Sequence, residues 1–180
     1  MKLFNTFKGM LDVAAKEDIR YYLNGVHVKN EAGILTIEAT NGHMLLRKKG
    51  CGLIAGDFDL ILCRDSLANA LELFNAKTDL VMSVADGMVM IGHKGLMLPV
   101  EVVDSCTYPN LEQVLPKEPK STDDIGFDMK LLSKLTAAFR KAHGGKVAAG
   151  YLSLRDGKMK LDNVVGGLEL VGVLMPVKMK

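Results

Sequence analysis

Cysteine is scarce in this chain of 180 residues: Cys51, Cys63 and Cys106 are an odd number without paired metal-ligand spacing. A disulfide framework and a cysteine-based zinc site are therefore excluded as organising elements, and reduced thiols are expected. Long hydrophobic runs are missing too. The longest apolar stretches, such as 60–63, are strand-sized, which leaves no room for a membrane span or the apolar region of a secretory signal and makes the cytoplasm the expected location. Nor is there an excess of one charge: 23 basic and 21 acidic residues leave a formal +2, so a nucleic-acid surface must come from charge placement rather than from bulk charge. Catalytic patterns are absent as well. No Ser-His-Asp order, paired carboxylates, phosphate-cradling glycine loop or metal-spaced cluster stands out, and His43 and His93 are single histidines near turns. A protein without enzymatic activity, metal or cofactor is expected.

What is present suffices for a core. With 48% hydrophobic and 24% charged residues, the chain fits one full globular domain plus part of another. Its periodicities divide it into three similar units. In the first, Phe7, Met10, Leu11 and Ala14 recur at helical spacing within 5–15, with Lys8, Asp12 and Lys16 toward the other side, although Gly9 weakens a helix. Strands at 22–28, 34–38 and 43–47 follow, parted by turn chemistry at 30–33 and at Asn41-Gly42. The second unit repeats the order. It has a strand at 58–63, a helix capped by Asp65 or Ser66 and running to Phe74, and strands at 80–84, 88–91 and 96–102, with Asp86-Gly87 as a tight turn. The third unit follows a proline-rich stretch. It has a short strand at 125–127, a helix at 129–142 with Leu131, Leu132, Leu135, Ala138 and Phe139 apolar and Gly144-Gly145 as terminator, then strands at 149–154, 158–163 and 168–175, with turns at Asp156-Gly157 and Gly166-Gly167.

A helix backed by three or four strands leaves an open sheet edge and one apolar stripe, so such units must pair. The predicted class is α+β, built of helix-plus-antiparallel-meander half units with helices on one face of the sheets. The predicted organisation is a complete two-unit domain at 1–115, a linker at 116–123 and a half domain at 124–180. That last half must find its complement in another chain or close in an atypical way.

By composition alone, Asn24-Gly25 and Asn41-Gly42 are bend residues, and 168–175 is an edge strand stopped by Pro176. Taken together, however, Tyr21-Tyr22-Leu23-Asn24-Gly25, Ala39-Thr40-Asn41-Gly42-His43 and the tail Val173-Leu174-Met175-Pro176-Val177-Lys178-Met179 resemble the peptide-binding cleft of the bacterial DNA polymerase III beta subunit, the processivity sliding clamp family. The stretch Tyr108-Pro109-Asn110-Leu111-Glu112-Gln113-Val114-Leu115-Pro116 resembles the segment that closes that family's middle domain. Asn41 stands for the family's usual Asp, and Met44 and Lys178 for arginines, so polar contacts made by the arginine at position 44 should be lost. The resemblance implies a DNA clamp fold in shortened form and a hydrophobic cleft formed by Leu23, Thr40, Gly42, His43, Leu45, Pro116, Val173, Leu174, Met175, Pro176, Val177 and Met179. Short hydrophobic linear peptides of DNA polymerase and repair partners would seat there, where flexible methionines suit several ligands.

The resemblance also implies helices that line a central hole around duplex DNA and meet phosphates without reading bases. The candidates are Lys8, Lys16, Lys130, Lys134, Arg140 and Lys141, although charged helix faces also serve as plain solubilising surface. The helix at 65–74 carries Glu72 and no internal Lys or Arg, so a continuous basic lining is not secured. A family ring holds twelve half units; three per chain makes a closed homotetramer the arithmetic expectation, with a clamp loader as a further partner. Two other readings stay open: a clamp-derived module or decoy that captures peptides without encircling DNA, and a structural dimerisation protein whose tail is only a strand.

Overall fold

A computed structural model of the chain describes residues 2–51, 54–104, 106–116, 126–144, 150–165 and 167–177. The first unit holds α1 (Leu3–Val13), β1 (Gly25–Glu31), β2 (Ile34–Thr40) and β3 (Met44–Cys51). The second holds β4 (Phe58–Cys63), α2 (Arg64–Leu71), β5 (Val81–Ala85), β6 (Met88–His93) and β7 (Leu96–Val100). The third holds α3 (Met129–His143), β8 (Tyr151–Arg155), β9 (Lys158–Val165) and β10 (Leu168–Leu174). The hairpin turns follow from local chemistry. Asp86 and Gly87 both take positive φ, 51° and 75°, which suits a two-residue turn matched to the strand twist, and Asp156 with Gly157 repeats it at 47° and 70°.

Two antiparallel sheets result. One runs β4-β1-β2-β3-β10-β9-β8 and the other β5-β6-β7. The larger sheet crosses from the first unit to the third at β3 and β10, in a register that sets Leu45 opposite Val173 and Met44 opposite Leu174. The third unit thus finds a sheet partner inside its own chain, on the first unit, and the expected need for another chain is met at this edge. Strand β8 is the outer edge of this sheet among the described residues.

Helices α1 and α3 pack closely over this junction, and Gly9 is the reason they can. A Cβ on Gly9 would lie 2.7 Å from both the Ala138 carbonyl oxygen and the Ala142 Cβ. The residue that lowers intrinsic helix propensity, by roughly 1 kcal/mol relative to alanine, is the one that lets two helix backbones approach. The main core gathers Phe7, Met10, Leu67, Leu71, Leu135, Ala138 and Phe139 from the three helices against Val26, Ile37, Leu46, Met82, Ile91 and Leu174 from both sheets. A second cluster lies on the opposite face of the larger sheet, where Leu45, Ile61, Val171 and Val173 meet Tyr108 and Leu111.

Some boundaries differ from the sequence-based expectation. Tyr21–Asn24 forms a 3-10 turn rather than the start of the first strand, because the Asn24 side-chain amide accepts from the Asp18 N–H and donates to the Asp18 carbonyl, both at 2.9 Å, and closes the loop. Helix α2 begins at Arg64 and stops at Leu71, short of Phe74. Ser66 does not cap it; its hydroxyl accepts instead from the Glu101 N–H at 3.0 Å, which holds the exit of β7. Beyond β7 the chain leaves its sheet, and Val102 bridges to Leu62 of β4. Helix α3 behaves as expected: Asp128 accepts from the Lys130 and Leu131 N–H groups, and Gly144 ends the helix at φ 75°. Of the strand expected at 125–127, Gly126 bridges to Val177, while Ile125 lies outside the described residues.

Candidate peptide-binding cleft and basic helix face

The two distant motifs of the cleft meet at the end of the β3–β10 ladder. The Met175 N–H donates to the His43 carbonyl at 2.9 Å, which extends the pairing past the strand ends. The turn that carries His43 is internally braced. Asn41 Oδ1 accepts from the His43 and Met44 N–H groups at 3.0 Å each, and Thr40 Oγ1 accepts from the Gly42 N–H at 3.1 Å while donating to the Met44 carbonyl at 2.9 Å. Gly42 sits at φ 86°, a conformation side chains disfavour. Asn41 therefore keeps the turn that an aspartate would form, since only the side-chain oxygen is used.

The twelve expected cleft residues divide by depth. Gly42, His43, Pro176 and Val177 are exposed and Met175 is half-buried, so these can touch a ligand. Leu23, Leu45, Val173 and Leu174 are buried, at 2%, 1%, 0% and 0% exposure. Strand alternation separates even these. Leu45 and Val173 join the second cluster, whereas Leu174 and Met44 point into the main core on the opposite face. Thr40 and Pro116 are buried, the latter beside Leu115, which packs on the second cluster. Met179 lies outside the described residues.

The six basic candidates are also unequal. Lys130, Lys134, Arg140 and Lys141 project from α3 to solvent, but Lys141 is bonded to Asp12 of α1 and so is already neutralised. Lys8 is half-buried, with its ammonium 5.9 Å from the Phe4 ring centre. Lys16 is exposed in the segment after α1 rather than on the helix.

No family model matches the chain. Among curated proteins, the beta sliding clamp of Proteus mirabilis is 26% identical over 155 residues, which is 82% of this chain and 40% of that protein. Among solved structures, a DNA polymerase sliding clamp from Pseudomonas aeruginosa matches with a TM-score of 0.77 and 15% identity, covering 99% of this chain and 64% of that one. A beta clamp from Helicobacter pylori matches at 0.74 with 14% identity, over 98% and 64%. The chain has the sliding-clamp fold. It spans under half the length of the curated clamp and under two thirds of these solved ones. The comparisons thus reach the family that the motifs resemble, and they return clamps rather than enzymes.

Within this clamp fold, three groups escaped the reading of the sequence. Arg20 is clamped by Asp18 through two side-chain bonds of 2.9 and 2.8 Å, and its guanidinium stands against Gly42 at the rim of the candidate cleft; the same bonds hold the half-buried Asp18 carboxyl down to about 2. A cation thus stands beside the cleft of this clamp fold, although Met44 replaces the expected arginine. Arg64 opens α2, where no basic residue was expected, pairing with Asp65 at 3.0 Å and reaching the Leu11 carbonyl at 3.5 Å. The third is a charged array on the outer face of β1–β3. Its members, His27, Glu38 and Arg47, are direct cross-strand neighbours, which only the sheet register discloses.

Proposed function

We propose that the chain works as a DNA polymerase processivity factor, whose assembled copies surround duplex DNA without reading its sequence while a cleft at the β3–β10 junction holds short hydrophobic linear peptides of polymerase and repair partners. The observation that carries this reading is the junction itself, where Met175 bonds His43 beside the exposed Gly42, Pro176 and Val177. In this reading those five residues meet the peptide, Leu23, Thr40, Leu45, Pro116 and Val173 support them from beneath, and Leu174 anchors the strand in the core on the opposite face; Met179, outside the described residues, completes the proposed set. Lys8, Lys16, Lys130, Lys134 and Arg140 face phosphates, with Lys141 weakened by Asp12. The division into 1–115, 116–123 and 124–180, a cytoplasmic location and a clamp loader as partner belong to the same proposal.

Ring formation calls for self-association, and a homotetramer is the expected state. Strand β8 supports it. This outer edge of the larger sheet carries Tyr151, Leu152 and Leu154 at 80%, 58% and 48% exposure, apolar on both faces, the kind of edge that recruits another chain. Light scattering should find a species near four times 19.6 kDa, which the double substitution Leu152→Lys, Leu154→Lys converts to single chains. The tetramer should also be retained on closed circular DNA and lost when the circle is cut. A mass of one or two chains for the unsubstituted protein at every concentration would sink encirclement by this chain alone. It would leave the second reading, a non-encircling peptide-binding module, which the completion of the junction within one chain favours.

A further inference from the structure

Residues 106–116 lie as a strap across the outer face of the larger sheet, bonded on both sides of the β3–β10 junction. On the first unit, the Tyr108 ring stacks on His27 with centres 4.6 Å apart and planes 16° apart, and its hydroxyl oxygen accepts from the Thr40 N–H at 3.1 Å. Glu112 accepts from Arg47 Nη1 at 2.6 Å. On the third unit, Lys158 of β9 donates to the Val114 carbonyl at 3.0 Å. Between these ties, Leu111 and Leu115 pack on the cluster that contains both Leu45 and Val173.

We propose that this strap is a positioning clasp for the cleft: docked on His27, Glu38 and Arg47, it fixes the Thr40–Met44 turn of the first unit relative to Met175 of the third. The inference rests on the peptide-cleft reading above. The mechanical path is continuous. Tyr108 bonds Thr40, Thr40 bonds Gly42 and Met44, and the turn they form carries His43, whose carbonyl meets Met175.

The array beneath the strap is charge-sensitive by construction. His27 Nδ1 is 2.8 Å from Glu38 Oε1 and its Nε2 is 2.7 Å from Asp59 Oδ1. A ring with a carboxylate on each nitrogen is satisfied only as the imidazolium, with both N–H groups donating. Arg47 Nε reaches the other Glu38 oxygen at 2.6 Å, and Glu38 and Arg47 are 4% and 6% exposed. The remaining charged groups around this cavity of about 390 Å³ are Lys29, Glu31 and Lys49, of which Lys29 pairs with Glu31 at 3.0 Å. Burial alone would push His27 down, but its bonds to Glu38 and Asp59 outweigh that and raise it. Glu38 is pushed up by burial, yet His27 and Arg47 hold it below the ordinary carboxylate range. The contribution of His27 is therefore complete below its ordinary value and lost as pH rises through its raised one. That of Glu38 is lost as pH falls through its lowered one. The clasp is tightest between the two.

The test pairs amide protection factors with binding of a fluorescein-labelled Ser-Leu-Ser-Leu-Phe peptide, measured on the full chain for Tyr108→Phe, Glu112→Gln, His27→Gln and His43→Ala. Tyr108→Phe and Glu112→Gln should each lower protection at Thr40 and Gly42 and weaken the peptide by about fivefold, the first through the loss of one hydrogen bond and the second through the loss of the charge that strengthens another. In the unsubstituted protein, affinity should fall as pH rises through the His27 titration, and His27→Gln should flatten that profile. His43→Ala should weaken the peptide without changing protection. Unchanged protection in both strap variants overturns the clasp, as does lowered protection with unchanged affinity. No binding by the unsubstituted protein at any pH overturns the cleft reading instead, which keeps the two failures apart.

Discussion

The outer faces of the two sheets are opposites. Across β1–β3, the larger sheet carries His27, Glu38 and Arg47 under the strap of residues 106–116, with buried charges paired side by side. The corresponding face of β5–β7 carries Val81, Ser83, Ala85, Met88, Met90, Met97 and Pro99, which has no ionisable side chain and, at Val81 and Met88, stays 50% and 64% exposed. Both faces are antiparallel sheet surface on the same kind of helix-backed unit, so strand chemistry does not explain the difference. What differs is the covering segment. A face that receives a strap can hold desolvated charge because each charge meets a partner there; an uncovered face holds side chains whose desolvation is never tested.

The comparison can be broken at three depths. Glu38→Ala should have the largest effect, a loss of about 3 kcal/mol in chemical denaturation near pH 6, because it removes the buried carboxylate that Arg47 and His27 share and leaves each with one exposed partner, Glu112 or Asp59. A cost under about 1 kcal/mol would mean that the strap face is wet and the contrast superficial. Lys48 gives the intermediate case, a buried cation on the helix-facing side of the same sheet. Its ammonium donates to the Ala142 carbonyl at 2.5 Å, and burial lowers its pKa to about 8 from the usual 10.5. The folded state therefore favours the neutral amine, and the penalty is full below about pH 8 and vanishes as pH passes 10.5. Lys48→Met should accordingly raise stability by on the order of 2 kcal/mol at pH 7, with the gain fading across that window; a pH-independent gain would contradict the assignment. The smallest effect belongs to the bare face. Met88→Glu should change stability by less than about 0.5 kcal/mol, and a loss above about 1.5 kcal/mol with a change in solution mass would show that a second molecule covers it.

Much of the fold was legible because it is periodic. The stripes of α1 and α3, the Asp-Gly turns and the strand order within each unit follow from spacings of a few residues, where propensity and burial agree. The candidate cleft was legible only through its resemblance to a family, and even then without depth. Leu174 and Val173 are adjacent in the same motif, yet they face opposite cores. The strap array was not legible at all, since His27, Glu38, Arg47, Asp59 and Glu112 are ordinary surface residue types at unremarkable spacings until β1–β3 are in register.

Three helix-and-meander units, their turns, and the Asn41 and Gly42 chemistry of the turn before β3 follow from the order of residues alone, because each depends on backbone preferences and burial patterns within a few residues. Folding in three dimensions settles the rest: the third unit joins the first through β3 and β10, Gly9 serves a helix crossing with Ala138 and Ala142, and Tyr108 sits on His27. Those are contacts between positions far apart in the chain. Their free energy comes from shape and charge meeting in space, a quantity with no period along the sequence.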